Sequence, residues 1–256
     1  MPEVRVLRED SLVIRVYDNR ADMGAAAAAQ AAEIIRAVCA EKGEANVIFA
    51  AAPSQNEFLE TLRKMDNLPW NQVNAFHMDE YIGLPADAPQ GFANFLRRAL
   101  FDRVPFKRVY CLNGQNPDPK AECERYAALL RAHPTDLICM GIGENGHIAF
   151  NDPPVADFND PLDVKVVELE ARCRRQQVND GCFAALDNVP THAMTLTVPL
   201  MMRSPRLILV VPTVLKAQAV RDTARGPVSE RVPATAVRRH PGGAVLYTDE
   251  AGASLL

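Results

Sequence analysis

Residues 136–154 read DLICMGIGENGHIAFNDPP, and how this stretch folds decides what kind of protein the chain is. An apolar run over 137–142 is followed by Gly141, Gly143 and Gly146 at the G-x-G-x-x-G spacing of a dinucleotide-binding turn. That fingerprint carries two further conditions. The third glycine must open a helix whose N-terminus faces a pyrophosphate, and an acidic residue must end the next strand. Glu168 and Glu170 in VKVVELE meet the second condition. The first fails, because Pro153, Pro154 and Pro161 follow, and proline inside a helix costs about 3 kcal/mol. The stretch therefore reads as a substrate loop. Gly143 and Gly146 let the backbone turn sharply and approach a ligand closely, leaving His147 at the mouth. If the loop curls, Asp152 meets the imidazole and orients it for acid–base work; the alternative is a turn-capping Asp and a histidine that merely packs.

Outward from this loop, apolar and β-branched runs recur as NVIFAAA, VNAFHMD, RVYCLN, VKVVELE, AMTLTVP and RLILVVP. Helical segments separate most of them. Over 21–41 alanine supplies intrinsic propensity, and Ile34, Ile35 and Val38 form an apolar stripe. Further helices are expected over 57–64, 92–100, 121–132 and 214–225. This alternation predicts an α/β protein: a single doubly wound, mostly parallel, Rossmann-like sheet flanked by helices. No repeat, low-complexity tract or linker interrupts the chain, so residues 1–256 read as one domain. The terminal AGASLL is short and is expected to be loosely held.

Composition excludes several classes. Hydrophobic residues reach 48%, enough for a substantial core, while 23% are charged with a formal net charge of -4. No basic run is present, which argues against a nucleic-acid groove. MPEVRVLRED intersperses charges and lacks a signal peptide's apolar core. Gln30, Glu33 and Arg36 interrupt the alanine-rich segment short of a membrane span. Cys39, Cys111, Cys123, Cys139, Cys173 and Cys182 show no C-x-x-C spacing, and several sit in apolar runs, as buried reduced thiols do. A cytoplasmic protein with no membrane partner is expected.

Ligands in open α/β sheets lie beyond the carboxyl ends of the strands. Three polar stretches follow apolar runs directly: AAPSQ, MDEY and GENGHIAFND. The second places the Asp79 carboxylate at such a position. Glu80 points the other way along a strand, a structural position, and His77 shares the face of Asp79 by the same alternation, either tuning it or simply packed. HMDE also suggests metal ligands, but no further ligand set accompanies it, so no metal and no organic cofactor are expected.

FHMDEYIGLP and GIGENGHIAFNDPP together resemble the glucosamine-6-phosphate deaminase/isomerase family, which includes the related 6-phosphogluconolactonases. CLNGQNPDPKAECERY and LILVVPTVLKAQAV extend the likeness over most of the chain. The resemblance implies that Asp79 shuttles a proton between C2 and C1 of an open-chain sugar phosphate. It implies that His147 assists ring opening and that Asp152 orients it. Lys216 matches the family's phosphate lysine, and Arg174 or Arg175 its phosphate arginine.

Three departures stand out. Asn145 occupies a position that is often Asp, and Asn cannot hold a negative charge. Asp152 stands where Glu is usual, and a carboxylate displaced by about 1 Å can cost ~100-fold in rate. The phosphate loop, Gly/Ser/Thr-rich in the family, is AAAPSQNEF here, leaving Ser54 and Gln55 at an expected helix start, with Ser54 as phosphate ligand, N-cap or both. The expected activity is conversion of glucosamine 6-phosphate and water to fructose 6-phosphate and ammonia, with a related amino sugar phosphate such as galactosamine 6-phosphate as an alternative substrate. The competing expectations are a lactone hydrolase working through His147, or a sugar-phosphate-binding protein without turnover. Family members differ in oligomeric state, so a homo-oligomer is possible.

Overall fold

The computed structural model describes residues 5–256; the first four residues of MPEVRVLRED lie outside the described residues. In chain order the strands and helices are β1 (Arg5–Glu9), β2 (Leu12–Tyr17), α1 (Arg20–Lys42), β3 (Ala45–Phe49), α2 (Asn56–Arg63), β4 (Val73–His77), β5 (Asp79–Tyr81), α3 (Phe92–Leu96) and β6 (Arg108–Tyr110). Then follow α4 (Pro119–Ala132), β7 (Leu137–Met140), β8 (Val164–Glu168), α5 (Ala171–Asn179), β9 (His192–Leu196), α6 (Val198–Met202), β10 (Leu207–Val210), α7 (Ala217–Arg225) and β11 (Ala244–Asp249).

An eight-stranded sheet runs β1-β2-β11-β10-β7-β3-β4-β6, and every pairing is parallel except the edge hairpin β1–β2. Period-two alternation feeds two cores. Val47, Phe49, Leu137, Cys139, Ile208 and Val210 face the helices α1 and α2, while Ile48, Ile138, Met140, Leu207 and Leu209 face α4, α6 and α7. This is the doubly wound arrangement that the strand–helix alternation predicts. Helix α1 is long and apolar enough to cross a membrane by length and composition alone. Its alanine face, with Met23, Ala27, Ala31 and Ile35, is instead buried in the core. Asn19 caps its first turn by accepting from the Asp22 N–H, and Gly43 ends it at a φ of 80°.

A second, three-stranded antiparallel sheet, β5-β9-β8, departs from the single-sheet expectation. VKVVE and HAMTL are as apolar and β-branched as short core strands, so pattern alone could not exclude them from the main sheet. The chain enters this sheet by leaving β4 at His77 and restarting at Asp79. Alternation is broken there, and His77 and Asp79 do not share a face. His77 is fully buried, its Nε2 accepts the Leu112 N–H at 2.9 Å, and burial lowers its pKa to about 3. It is packed and neutral.

Other boundaries shift for local reasons. The helix expected over 92–100 is α3 continued by a wider π turn through Phe101. That expected over 214–225 opens with a 3-10 turn. AGASLL is held rather than loose: Ala253 is fully buried, its carbonyl accepts from Arg5, and its N–H donates to the Asp249 carbonyl. All six cysteines carry free thiols.

From β3 the chain winds outward through β4 to β6, and from β7 it winds the other way through β10 to β11. Adjacent β3 and β7 therefore flank the switch point, where the loops after them diverge and leave a crevice.

Candidate active site

That crevice is a cavity of about 280 Å³ lined by Ala50–Ser54 after β3, Gly141–Gly143 after β7 and Pro212–Lys216 after β10, apart from Val214. Arg20, Met78, Asp79, Phe92, His147, Ala149, Phe150, Gln176, Gln177 and Asp180 complete it. A larger, more open surface groove of about 560 Å³ contains Arg174 and His192 but none of Asp79, His147 and Lys216.

The loop after β7 curls without a helix, as its prolines require. Gly143 accepts from the Gly146 N–H and donates to the His147 carbonyl, a tight turn. A Cβ on Gly143 would come within 2.4 Å of Cε1, Nε2 and Nδ1 of His147, so the imidazole lies flat on the glycine backbone. Gly146 has a φ of 83° and backs onto Val232, away from the cavity. Gly143 lines the cleft and Gly146 shapes the turn, so the expected ligand contact at Gly146 is corrected.

His147 Nδ1 lies 2.7 Å from Asn145 Oδ1 and 2.9 Å from Asp152 Oδ1. Two oxygen acceptors fix the proton on Nδ1 and leave Nε2 as the nitrogen for a ligand. Asp152 also accepts from Asn145 Nδ2 at 2.9 Å and from the Glu170 N–H at 3.3 Å. Burial pushes the Asp152 carboxyl up, but the His147 and Asn145 hydrogen bonds outweigh it and hold the pKa below the usual value. The shorter side chain thus reaches the imidazole, because the loop brings its backbone close enough.

Asn145 explains itself in three dimensions. Its amide oxygen accepts from the His147 N–H and faces Nδ1, while its nitrogen donates to both Asp152 and Glu170, the latter at 2.8 Å. Aspartate there would put a third carboxylate between two others. Sequence reasoning noticed Glu170 only as a strand-ending acid and missed this role, since the partner lies 25 residues away. It also missed Cys173, whose buried thiol contacts Asp152. His147, Asp152 and Cys173 have ligand atoms within 4.8 Å of one another. Hydrogen bonds already occupy the imidazole and carboxylate of that set, so no metal is required to satisfy them.

Asp79 is 7% exposed and lines the cavity; burial first, and then neighbouring Glu80, raise its pKa well above the ordinary aspartate range. Glu80 points away. Its carboxylate accepts the N–H groups of Tyr81, Phe92 and Ala93, capping α3.

On the Lys216 side, Lys216 is 6% exposed, its ammonium makes no hydrogen bond or ion pair among the described residues, and burial lowers its pKa against the opposing fields of Asp180 and Glu144. Thr213, just before it, is held at a φ of 81° and ψ of 153° while its N–H donates to Asp249. That conformation is nearly confined to glycine and stores about 1–3 kcal/mol. Ser54 lies inside a 3-10 turn, Pro53–Gln55, that has no side-chain cap, so the N-cap role is corrected; its hydroxyl lines the cleft and accepts from Gln55. Gln55 is buried against the Val210 carbonyl outside the lining, contrary to the expected ligand contact.

Neither expected arginine reaches the cavity. Arg174 donates to the carbonyls of Leu186 and Val189, and Arg175 is exposed. The residues of α5 that line the cleft are Gln176 and Gln177, with Asp180 at its C-cap.

A sequence profile described as glucosamine-6-phosphate isomerases/6-phosphogluconolactonase matches residues 18–247. The chain belongs to this family. It is 35% identical over 240 residues to glucosamine-6-phosphate deaminases of Bacillus cereus (strain G9842) and Bacillus thuringiensis (strain Al Hakam), covering 94% of this chain and 87% of theirs. A solved monomeric glucosamine-6-phosphate deaminase superposes with a TM-score of 0.87 at 30% identity, covering 95% of this chain and 99% of that one. The 6-phosphogluconolactonase of Trypanosoma brucei superposes at 0.79 with 18% identity over 95% and 98%, a likeness of fold.

Proposed function

We propose that this chain is an aldose–ketose isomerising deaminase that converts glucosamine 6-phosphate and water to fructose 6-phosphate and ammonia. What carries the reading is one cleft that holds a buried, proton-ready carboxylate at Asp79 and a tautomer-fixed imidazole at His147. His147 Nε2 takes the anomeric hydroxyl proton and returns it to the ring oxygen, opening the pyranose. Asp79 then removes the C2 proton while the C1 aldehyde oxygen takes a proton from the substrate's own ammonium, giving an enolamine, and Asp79 delivers its proton to C1. A protonated imine remains at C2, and water hydrolyses it to the ketone and ammonium. A carboxyl whose pKa is raised above the usual aspartate range is a stronger base for the C2 proton. Asn145, Asp152 and Glu170 position the imidazole, and Lys216 and Ser54 meet the phosphate.

A cytoplasmic setting, with no nucleic-acid or membrane partner, fits free sugar phosphates and free thiols. The test is ammonia and fructose 6-phosphate release from glucosamine 6-phosphate, with Asp79→Asn as control. Release that vanishes in the control supports the reading; proton release from a lactone without ammonia production would replace it with the hydrolase.

A further inference from the structure

Gln55 closes the 3-10 turn before α2 and is 1% exposed. Its side-chain oxygen is buried without a hydrogen-bond partner among the described residues, a cost that an apolar side chain of similar length would not carry. The nitrogen end, by contrast, uses both of its hydrogens. One goes to the Val210 carbonyl at the end of β10, at 3.0 Å, and the other to the Ser54 hydroxyl, also at 3.0 Å. A carbonyl only accepts, so the Val210 contact fixes which end of the amide is nitrogen. The Ser54 oxygen is therefore an acceptor in this pair. A hydroxyl that accepts keeps its own hydrogen, and no protein group takes it among the described residues. Ser54 lines the cleft while Gln55 lies outside the lining, so that hydrogen is left for a ligand. Gly141 makes room for the arrangement. A Cβ there would sit 3.2 Å from Gln55 Nε2, 3.5 Å from Ser54 Oγ and 3.7 Å from the Val210 oxygen. The loops after β3, β7 and β10 thus meet at a position that carries no side chain.

We infer that Gln55 is a positioning residue that turns Ser54 into a hydrogen-bond donor toward the cleft, suiting that wall to an acceptor-only oxyanion, the substrate's phosphate. This deepens the phosphate contact of the proposed function and rests on that reading for the identity of the sugar phosphate. Gln55 touches no ligand atom and acts through the hydroxyl alone. Without the amide, Ser54 is free to turn its hydrogen to a protein carbonyl and present lone pairs to the ligand, which repel a phosphate oxygen. With it, the hydroxyl donates to a charged acceptor, the stronger class of hydrogen bond.

The experiment titrates inorganic phosphate and fructose 6-phosphate by calorimetry into the wild-type protein, Gln55→Met, Ser54→Ala and the double variant, and measures kcat and KM for glucosamine 6-phosphate in each. Each single variant should weaken both ligands by about tenfold, one charge-assisted hydrogen bond lost, and raise KM by a similar factor with kcat little changed. The double variant should bind no more weakly than Ser54→Ala, because the amide has nothing left to act through. Single losses that multiply to about a hundredfold in the double variant overturn the inference, since Gln55 would then act independently of the hydroxyl. So does wild-type affinity in Gln55→Met, or a wild-type protein that binds neither ligand. Ser54→Thr keeps the hydroxyl and should retain phosphate binding; a loss equal to that of Ser54→Ala also overturns it. If Gln55→Met lacks a cooperative melt, Gly141→Ala takes its place by crowding the amide. Phosphate affinity should then fall in the Ser54 protein and stay level when Ser54→Ala is added, and any other pattern counts against the inference. If no ammonia is released while phosphate binding follows these expectations, the deaminase reading fails and the role of Gln55 stands.

Discussion

The His147 side of the cleft and the Lys216 side are built on opposite principles. Around His147 nearly every polar atom is committed: Asn145 makes its full set of amide contacts, and Asp152 binds the imidazole, an amide nitrogen and a backbone N–H. Around Lys216, among the described residues, the ammonium is unpaired, the Gln177 side-chain amide has no hydrogen-bond partner, and the backbone at Thr213 is strained. The first region stays rigid without a ligand, and the second leaves its polar groups for one. Asp79 belongs with the second, because burial works against its charge. Groups that do chemistry or bind anions are left dissatisfied, and the network that aims them is not.

The sharpest way to break this contrast is Asp79→Asn. Activity should fall by roughly 10²–10⁴-fold, the range for a lost general base, while the melting temperature rises. The sign follows from linkage. A carboxyl whose folded pKa is raised binds more protons folded than unfolded, so its ionisation costs stability as pH climbs above the ordinary aspartate value. A thermal melt of the variant at pH 7 no higher than wild type would show that Asp79 is satisfied after all.

Asp152→Ala should do the reverse on stability. Its lowered folded pKa contributes stability that is present above the unfolded value of about 3.9 and lost as pH falls through the folded value. Removing it leaves one Asn145 Nδ2 hydrogen and the Glu170 N–H unpaired and should cost about 1–3 kcal/mol in a denaturant titration at neutral pH, with kcat falling ~100-fold. An acid limb of the stability curve unaltered by the substitution would contradict this.

Lys216→Met comes next. KM for glucosamine 6-phosphate should rise about tenfold with little change in kcat, because a phosphate contact contributes mainly ground-state binding. A lysine whose folded pKa is lowered is bound less tightly to its proton when folded, so its charge costs stability below the folded pKa. The variant should therefore melt higher at pH 7, and a lower melting temperature would argue for an ion pair. The smallest effect is expected from Thr213→Gly. Relief of the positive φ, offset by glycine's own entropy, leaves a gain of about 1 kcal/mol or less in chemical denaturation.

The two regions also differed in how far they could be read beforehand. DLICMGIGENGHIAFNDPP carries its prolines and glycines in the open, so a non-helical loop with His147 and Asp152 in contact was within reach of local chemistry. The Lys216 side was not. RCRRQQ lies on α5, which pattern did not mark as a helix, and each step along a helix turns the side chain by about 100°. Without that phase, Arg174 and Arg175 looked as good as Gln176 and Gln177, and the structure turns the glutamines inward.

By itself the amino-acid sequence determined the layered α/β order, the two-faced core strands and the curled loop after β7, because each follows from periodicity or from residues near in sequence, while the pairing of Asp79 with His147 came from the resemblance of their motifs to a family. Tertiary structure alone decided that β8 and β9 leave the main sheet, that His77 and Asp79 part company, and that Asn145 joins two carboxylates. It also decided that Asp180 faces the same cavity as Lys216. Those facts depend on strand pairing and helix phase between residues far apart in the chain, which no local pattern encodes.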